Sequence, residues 1–228
     1  AARALRMLLD RGAKRSSLTA LQYGEPLPEV GTYQPPGSAN LPGAGMAVLR
    51  RGAGDDALCA MLEYGEHGGG HGHPDKLQLI FYGLGQTLCP DLGTTGYGVR
   101  LHGQWYKTTP AHNTVTLGMK SQAPTTGKLL AFDVKDQYAA ASAESRGAYP
   151  GYRLFRKLLL TDRFLVDLFS VVAEEGQPEV TADWFLRAPG SLALSVPVAP
   201  LAEKAPTATY DYLKELRGAE TASDWSAT

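Results

Sequence analysis

Between residues 64 and 83 the chain reads YGEHGGGHGHPDKLQLIFYG, which gathers His67, His71 and His73 with Glu66 and Asp75 around glycines before turning apolar. His71 and His73 alternate, so on an extended backbone they project to one side, where a single cation could meet both imidazoles. Asp91 closes the apolar run TLCPDL just ahead of Gly-Thr-Thr-Gly, and His112 opens the strand-like stretch HNTVTLG. Two imidazoles and a carboxylate, from His73, Asp91 and His112, suit zinc, which takes such ligands at about 2.0–2.2 Å and leaves a fourth position to water or an outside group. Asp75 and Asn113 are then candidates to orient an imidazole through its other nitrogen. The phenols of Tyr97 and Tyr106 lie between Asp91 and His112. Each of these residues also has a plainer reading. His-x-His occurs in solvated loops, Asp91 can cap its own turn, and a tyrosine among strands is usually half-buried. His67 has no specific partner in the sequence, and His102, in RLHGQW, reads as an exposed turn residue. The glycines let backbone approach a bulky polar ligand. No Lys-Ser or Lys-Thr follows them, so they do not make a phosphate loop.

Several elements must carry these groups. Residues 1–22 read as the last helix of an upstream domain, with Leu5, Leu8 and Leu9 on one side and Arg3, Arg6 and Asp10 on the other, in a chain that looks cut from a longer protein. Residues 23–45 are dense in Pro and Gly and read as a linker. From Met46 to about residue 190, short apolar or alternating runs end repeatedly at Gly, Pro, Asp or Asn. That spacing predicts an all-β, antiparallel β-sandwich, because short strands bounded by turn residues are satisfied only by pairing. LLLTDRFLVDLF is the clearest hairpin, turning through Thr161, Asp162 and Arg163. In KLQLIFYG both alternating faces are at least half apolar, which predicts a strand over 77–82 inside a thick sandwich. Residues 191–228 read as an irregular tail or the start of a truncated second sheet, with a helical hint at YDYLKELRG.

The formal net charge of −1 provides no basic surface for nucleic acid. No apolar run reaches the roughly 18 residues of a membrane span. Cys59 and Cys89, the two cysteines, sit in apolar stretches and read as buried free thiols.

Taken together, HGGGHGHPDKLQLIFYGLGQTLCPDLGTTGYG and WYKTTPAHNTV resemble the signature of the heparinase II/III-like polysaccharide lyases, including the oligoalginate lyases. The combined pattern, His-x-His-x-Asp, a strand, Asp-x-Gly, a Tyr and Ala-His-Asn-Thr-Val, is far more specific than any of its parts. The resemblance implies an N-terminal α/α toroid followed by a sandwich of the super-sandwich type. This chain would be the sandwich, and residues 1–22 the end of the missing toroid. It implies that His71 is catalytic, that His73, Asp91 and His112 hold a structural zinc, and that a sandwich tyrosine, Tyr97 before Tyr106, lines the cleft. Trp105 is a candidate sugar platform, and Arg187 stands where many relatives have a cleft histidine. The implied substrate is an acidic, uronate-containing polysaccharide or oligosaccharide cleaved by β-elimination. The toroid would be an essential partner, so the fragment alone would be inactive. A periplasmic or secreted location and a homodimer complete the implied picture.

Two rivals remain open on sequence. A cupin-type jelly roll also uses His-x-His, but expects a Glu four or five residues later, where Leu77 and Gln78 stand. A non-catalytic carbohydrate-binding sandwich would use Trp105, Tyr106 and Trp184 as its platform.

Overall fold

The computed structural model describes Gln22, residues 36–201 and residues 207–227. The helix expected over 1–22 lies outside the described residues except for Gln22, as does most of the expected linker. From Ser38 onward the chain is built from antiparallel sheets. Five strands pair in sequence order to form the first: β1 (Ala39–Leu41), β2 (Met46–Arg51), β3 (Leu58–Glu63), β4 (Leu79–Gly83) and β5 (Gln86–Cys89). A separate short strand, β6 (Val115–Leu117), follows the site loops. The second large sheet contains β7 (Lys128–Val134), β8 (Ala139–Tyr149), β9 (Tyr152–Leu160) and β10 (Leu165–Ala173). β11 (Ala182–Trp184) pairs with β6, and β12 (Ala199–Pro200) pairs with β13 (Arg217–Gly218).

The two large sheets pack face to face through β2 and β3 against β8 and β9. One inner face supplies Ala47, Leu49, Ala60 and Leu62, all fully buried. The facing strand β9 supplies Leu154, Leu158 and Leu160, and β8 lays Ala141 opposite Leu158 and Ala139 opposite Leu160 in register. Pairing a row of methyl groups with a row of leucines fills the layer without overcrowding it. Leu158→Ala should therefore leave a cavity that its small partner Ala141 cannot close. We expect a loss of roughly 2–5 kcal/mol in chemical denaturation. The opposite face of the β7–β10 sheet is open, with Leu168 58% and Val166 38% exposed.

The expected antiparallel sandwich is present, and so is its hairpin, where Leu160 pairs with Leu165 across the turn. Thr161 Oγ1 closes that turn by accepting the backbone N–H groups of Arg163 and Phe164. Cys89 is buried and Cys59 half-buried, both free, and burial pushes both thiols up.

Two local expectations differ from what is observed. β4 starts at Leu79, not Leu77, because Leu77 adopts a left-handed conformation with φ 62° and kinks the chain before the strand. Around the kink, Leu77 N–H donates to the Glu63 carbonyl and Leu79 N–H to the Asn113 carbonyl. The helical hint near the C-terminus reduces to one turn, Tyr210–Tyr212. There the buried Tyr210 is held by hydroxyl contacts to Asp183 and Thr116, which fix the ring against β6 and β11 and leave the backbone free to extend at Leu213.

Candidate functional site

The site lies beside the first sheet, where the loops before β4 and after β5 meet the segment leading into β6. The glycines of 68–72 have a steric reason. The chain folds back so tightly that a Cβ on Gly72 would stand 1.3 Å from the His67 carbonyl oxygen. A short turn at Gly69–His71 then presents His71 to solvent, and the backbone extends again at Gly72. His71 Nδ1 lies 2.6 Å from the Tyr97 hydroxyl, and Tyr97 is itself 68% exposed. His71 borders a cleft of about 390 Å³ lined also by residues including Glu63, His67, His73, Asp75 and Thr94.

Behind it runs a row of three side chains. Asp91 Oδ2 is 2.6 Å from His112 Nδ1, and His112 Nε2 is 3.2 Å from His73 Nδ1. Pro110 and Ala111 sit in a buried turn, Thr109–Ala111, that delivers His112 into the interior at 1% exposure. Burial first, then the neighbouring His112, Lys107 and His102, lowers the His73 pKa despite Asp91, which favours the neutral imidazole. For Asp91 burial works upward, but the His112 hydrogen bond and charge and the Gly93 N–H outweigh it, so its carboxyl is held below the usual range.

The sequence-predicted residues fall into distinct places. His73, Asp91 and His112 come together, as a hydrogen-bonded row. Their donor types fit zinc, and the 3.2 Å between the facing nitrogens suits two ligands of one ion. Asp91 engages the nitrogen of His112 that faces away from His73, the position from which a carboxylate orients a metal-binding imidazole. Among the described residues, no three such donors already converge on a single point. Tyr97 brings its phenol to His71, whereas Tyr106 contributes its backbone carbonyl, 3.2 Å from His112 Nε2. Trp105 is only 8% exposed. Its ring lies 5.6 Å from the Tyr212 ring, and the Arg187 guanidinium sits 5.6 Å over it. Arg187 is half-buried, donates from its guanidinium to the Pro110 carbonyl and from its backbone N–H to Asn113 Oδ1. These two residues therefore brace the floor under Asp91 and His112.

Asp75 and Asn113 have partners other than imidazoles. Asn113 Nδ2 donates to the carbonyls of Leu79 and Pro90. Asp75 pairs with Lys76 Nζ at 3.0 Å, and the same ammonium reaches Glu63 at 2.9 Å. Burial and then the Glu63 carboxylate push Asp75 up to about 6, against the pull of Lys76. A carboxyl with a folded pKa above its ordinary 3.8 binds its proton more tightly in the fold, so its contribution to stability falls as pH rises from about 4 to about 6. The melting-temperature difference between wild type and Asp75→Asn should shrink across that window and stay level above it.

Sequence reasoning missed His102 and Lys107. His102 opens a π-helical turn, His102–Tyr106, takes Thr94 Oγ1 at 3.0 Å on Nδ1 and meets the Tyr97 ring edge-on at 4.9 Å. Lys107 Nζ donates to the Gly70 carbonyl at 2.8 Å, pinning the residue before His71. Neither has a spacing signal, because both act across a loop whose path the sequence does not specify.

The family model described as heparinase II/III-like, C-terminal, matches residues 33–167. An exo-oligoalginate lyase of Saccharophagus degradans is 27% identical over 154 residues, covering 57% of this chain and 21% of that protein. An alginate lyase of Stenotrophomonas maltophilia is 30% identical over 130 residues, covering 49% of this chain and 17% of that protein. The chain thus spans about a fifth of the length of these curated relatives. Among solved structures, a heparinase III superposes with a TM-score of 0.64 at 22% identity over 84% of this chain and 30% of its own. The heparan sulfate lyase of Pedobacter heparinus gives 0.59 at 19% identity over 75% of this chain and 27% of its own. At these identities the superpositions establish a shared fold.

Proposed function

The chain belongs to the heparinase II/III-like C-terminal family, and from that membership we propose that it forms the sandwich half of a lyase that cleaves uronate-containing polysaccharide by β-elimination. The observation that carries this reading is the exposed His71–Tyr97 pair, 2.6 Å apart at the mouth of a cleft, in a chain with this fold. The proton alpha to a uronate carboxylate is weakly acidic while the carboxylate stays charged. A donor that neutralises the carboxylate stabilises the enolate that forms as the proton leaves. His71 supplies that donor. Tyr97, its hydroxyl proton passed to His71 Nδ1 2.6 Å away, removes the alpha proton, the electron pair becomes the new carbon–carbon double bond, and the bond to the 4-linked sugar breaks. The departing oxygen takes that proton from the Tyr97 phenol, and His71 returns the other to Tyr97, which leaves the pair as it began.

The remaining catalytic groups come from a helical toroid in the same polypeptide, and the enzyme works outside the cytoplasm on acidic polymers. His73 and His112 would hold a zinc ion, with Asp91 orienting His112 through its other nitrogen, and the ion would support the loops beside the cleft and take no part in proton transfer. No helix among the described residues is long and apolar enough to cross a membrane. The whole protein, incubated with alginate, heparan sulfate and chondroitin, should generate the ultraviolet absorbance of an unsaturated uronate with one of them. Binding to these polymers with no new absorbance would make the domain a carbohydrate-binding sandwich instead. Metal analysis should find zinc in the wild-type chain and lose it in His112→Ala. Zinc absent from the wild type would remove the ion from the proposal and leave the lyase chemistry standing.

A further inference from the structure

We propose that Arg156, on the far sheet, is a positioning residue that sets the spacing of the two histidines behind the cleft. The inward row of β9 reads Leu154, Arg156, Leu158 and Leu160, and Arg156 is as completely buried as its apolar neighbours, at 0% exposure. A guanidinium in such a place persists only when its donors are paired. Here Nε and Nη2 meet the two Asp167 oxygens at 2.9 and 2.5 Å. Nη1 reaches through the core to two backbone carbonyls of the site loops, Leu77 at 2.7 Å and Asn113 at 2.5 Å.

Those two carbonyls belong to the segments that carry the histidines. Leu77 follows His73 by four residues and holds the left-handed kink, with φ 62°, an unusual conformation for a branched side chain. Such a conformation persists where its surroundings over-determine it. Asn113 directly follows His112, and its side chain ties in Pro90, next to Asp91, and Arg187. Arg156 is thus the one charged group of the β7–β10 sheet that touches both site segments among the hydrogen bonds of the described residues. Its fork fixes how far apart the two carbonyls stand, and through them the 3.2 Å between His73 and His112. A purely stabilising role is the alternative, since buried ion pairs are often replaceable by apolar residues without loss of stability.

The test separates the two roles, and only its activity arm rests on the lyase reading. R156M/D167L removes both charges together, leaving neither unpaired, and R156K keeps the pair with Asp167 but gives up the fork. In the 228-residue chain, imidazole resonances of His73 and His112 should shift or broaden in both variants, and the low-field proton between His112 and Asp91 should weaken. Melting temperatures should stay within a few degrees of wild type. In the whole protein, kcat should fall by about tenfold or more while KM changes by less than about threefold. Unchanged imidazole resonances in a folded R156M/D167L chain, or in R156K if the double variant fails to fold, would overturn the proposal. Failure of both variants to fold would also overturn it, by making Arg156 a stabilising residue. An inactive wild type would defeat the lyase reading and leave the resonance result to stand on its own.

Discussion

His71→Ala in the whole protein should lower uronate-polymer cleavage by about 10²–10⁴-fold, the range lost when a positioned proton-transfer or charge-neutralising group is removed. The ring is exposed and its polar contact is with Tyr97, so the substitution removes chemistry without opening a cavity. The melting temperature should therefore match wild type while the rate of double-bond formation collapses. An unaltered rate would take His71 out of the mechanism. A reduced rate accompanied by a lower melting temperature would point to loop damage around the tight turn at Gly72.

Tyr97→Phe is the second large effect, a loss of about 100-fold or more for the deletion of a single oxygen atom. The ring would still rest against His102, whose edge-on contact depends on the aromatic face and not on the hydroxyl. Tyr106→Phe provides the control. Its carbonyl, which the change leaves in place, is what meets His112. A near-wild-type rate in Tyr106→Phe beside a crippled Tyr97→Phe would identify the phenol that acts. The reverse result would transfer the role to Tyr106. Because His71 and Tyr97 share a hydrogen bond, the double variant should lose far less than the product of the two single losses.

Period-two apolar runs and turn residues made the sandwich legible, since β8, β9 and β10 follow the alternation of their sequences closely. The meeting of His73, Asp91 and His112 was legible from their places at segment ends. Their order within the row was not. Which nitrogen faces which neighbour depends on how the Thr109–Ala111 turn rolls the ring of His112, and no local spacing encodes that. The kink at Leu77 was hidden for a related reason, because an apolar run looks the same whether or not one residue turns left-handed. Trp105 looked like a sugar platform from its type alone, while its burial comes from Tyr212, over a hundred residues on. Arg156 carried a visible signal, a charge in the inward row of RLFRKLLL, whose meaning appears only when the opposite sheet is in place.

Ala143 stands directly across the strand pair from Arg156, and its single methyl group leaves the lane through which the long side chain travels. Tolerance at this alanine ought to be narrow for reasons unrelated to the hydrophobic layer it helps to fill. A leucine there would crowd the guanidinium out of its channel, and the disturbance would surface on the other side of the molecule as slackened chemistry. Fine adjustment of the cleft is in that sense available from the interior, through a residue that lines no part of it.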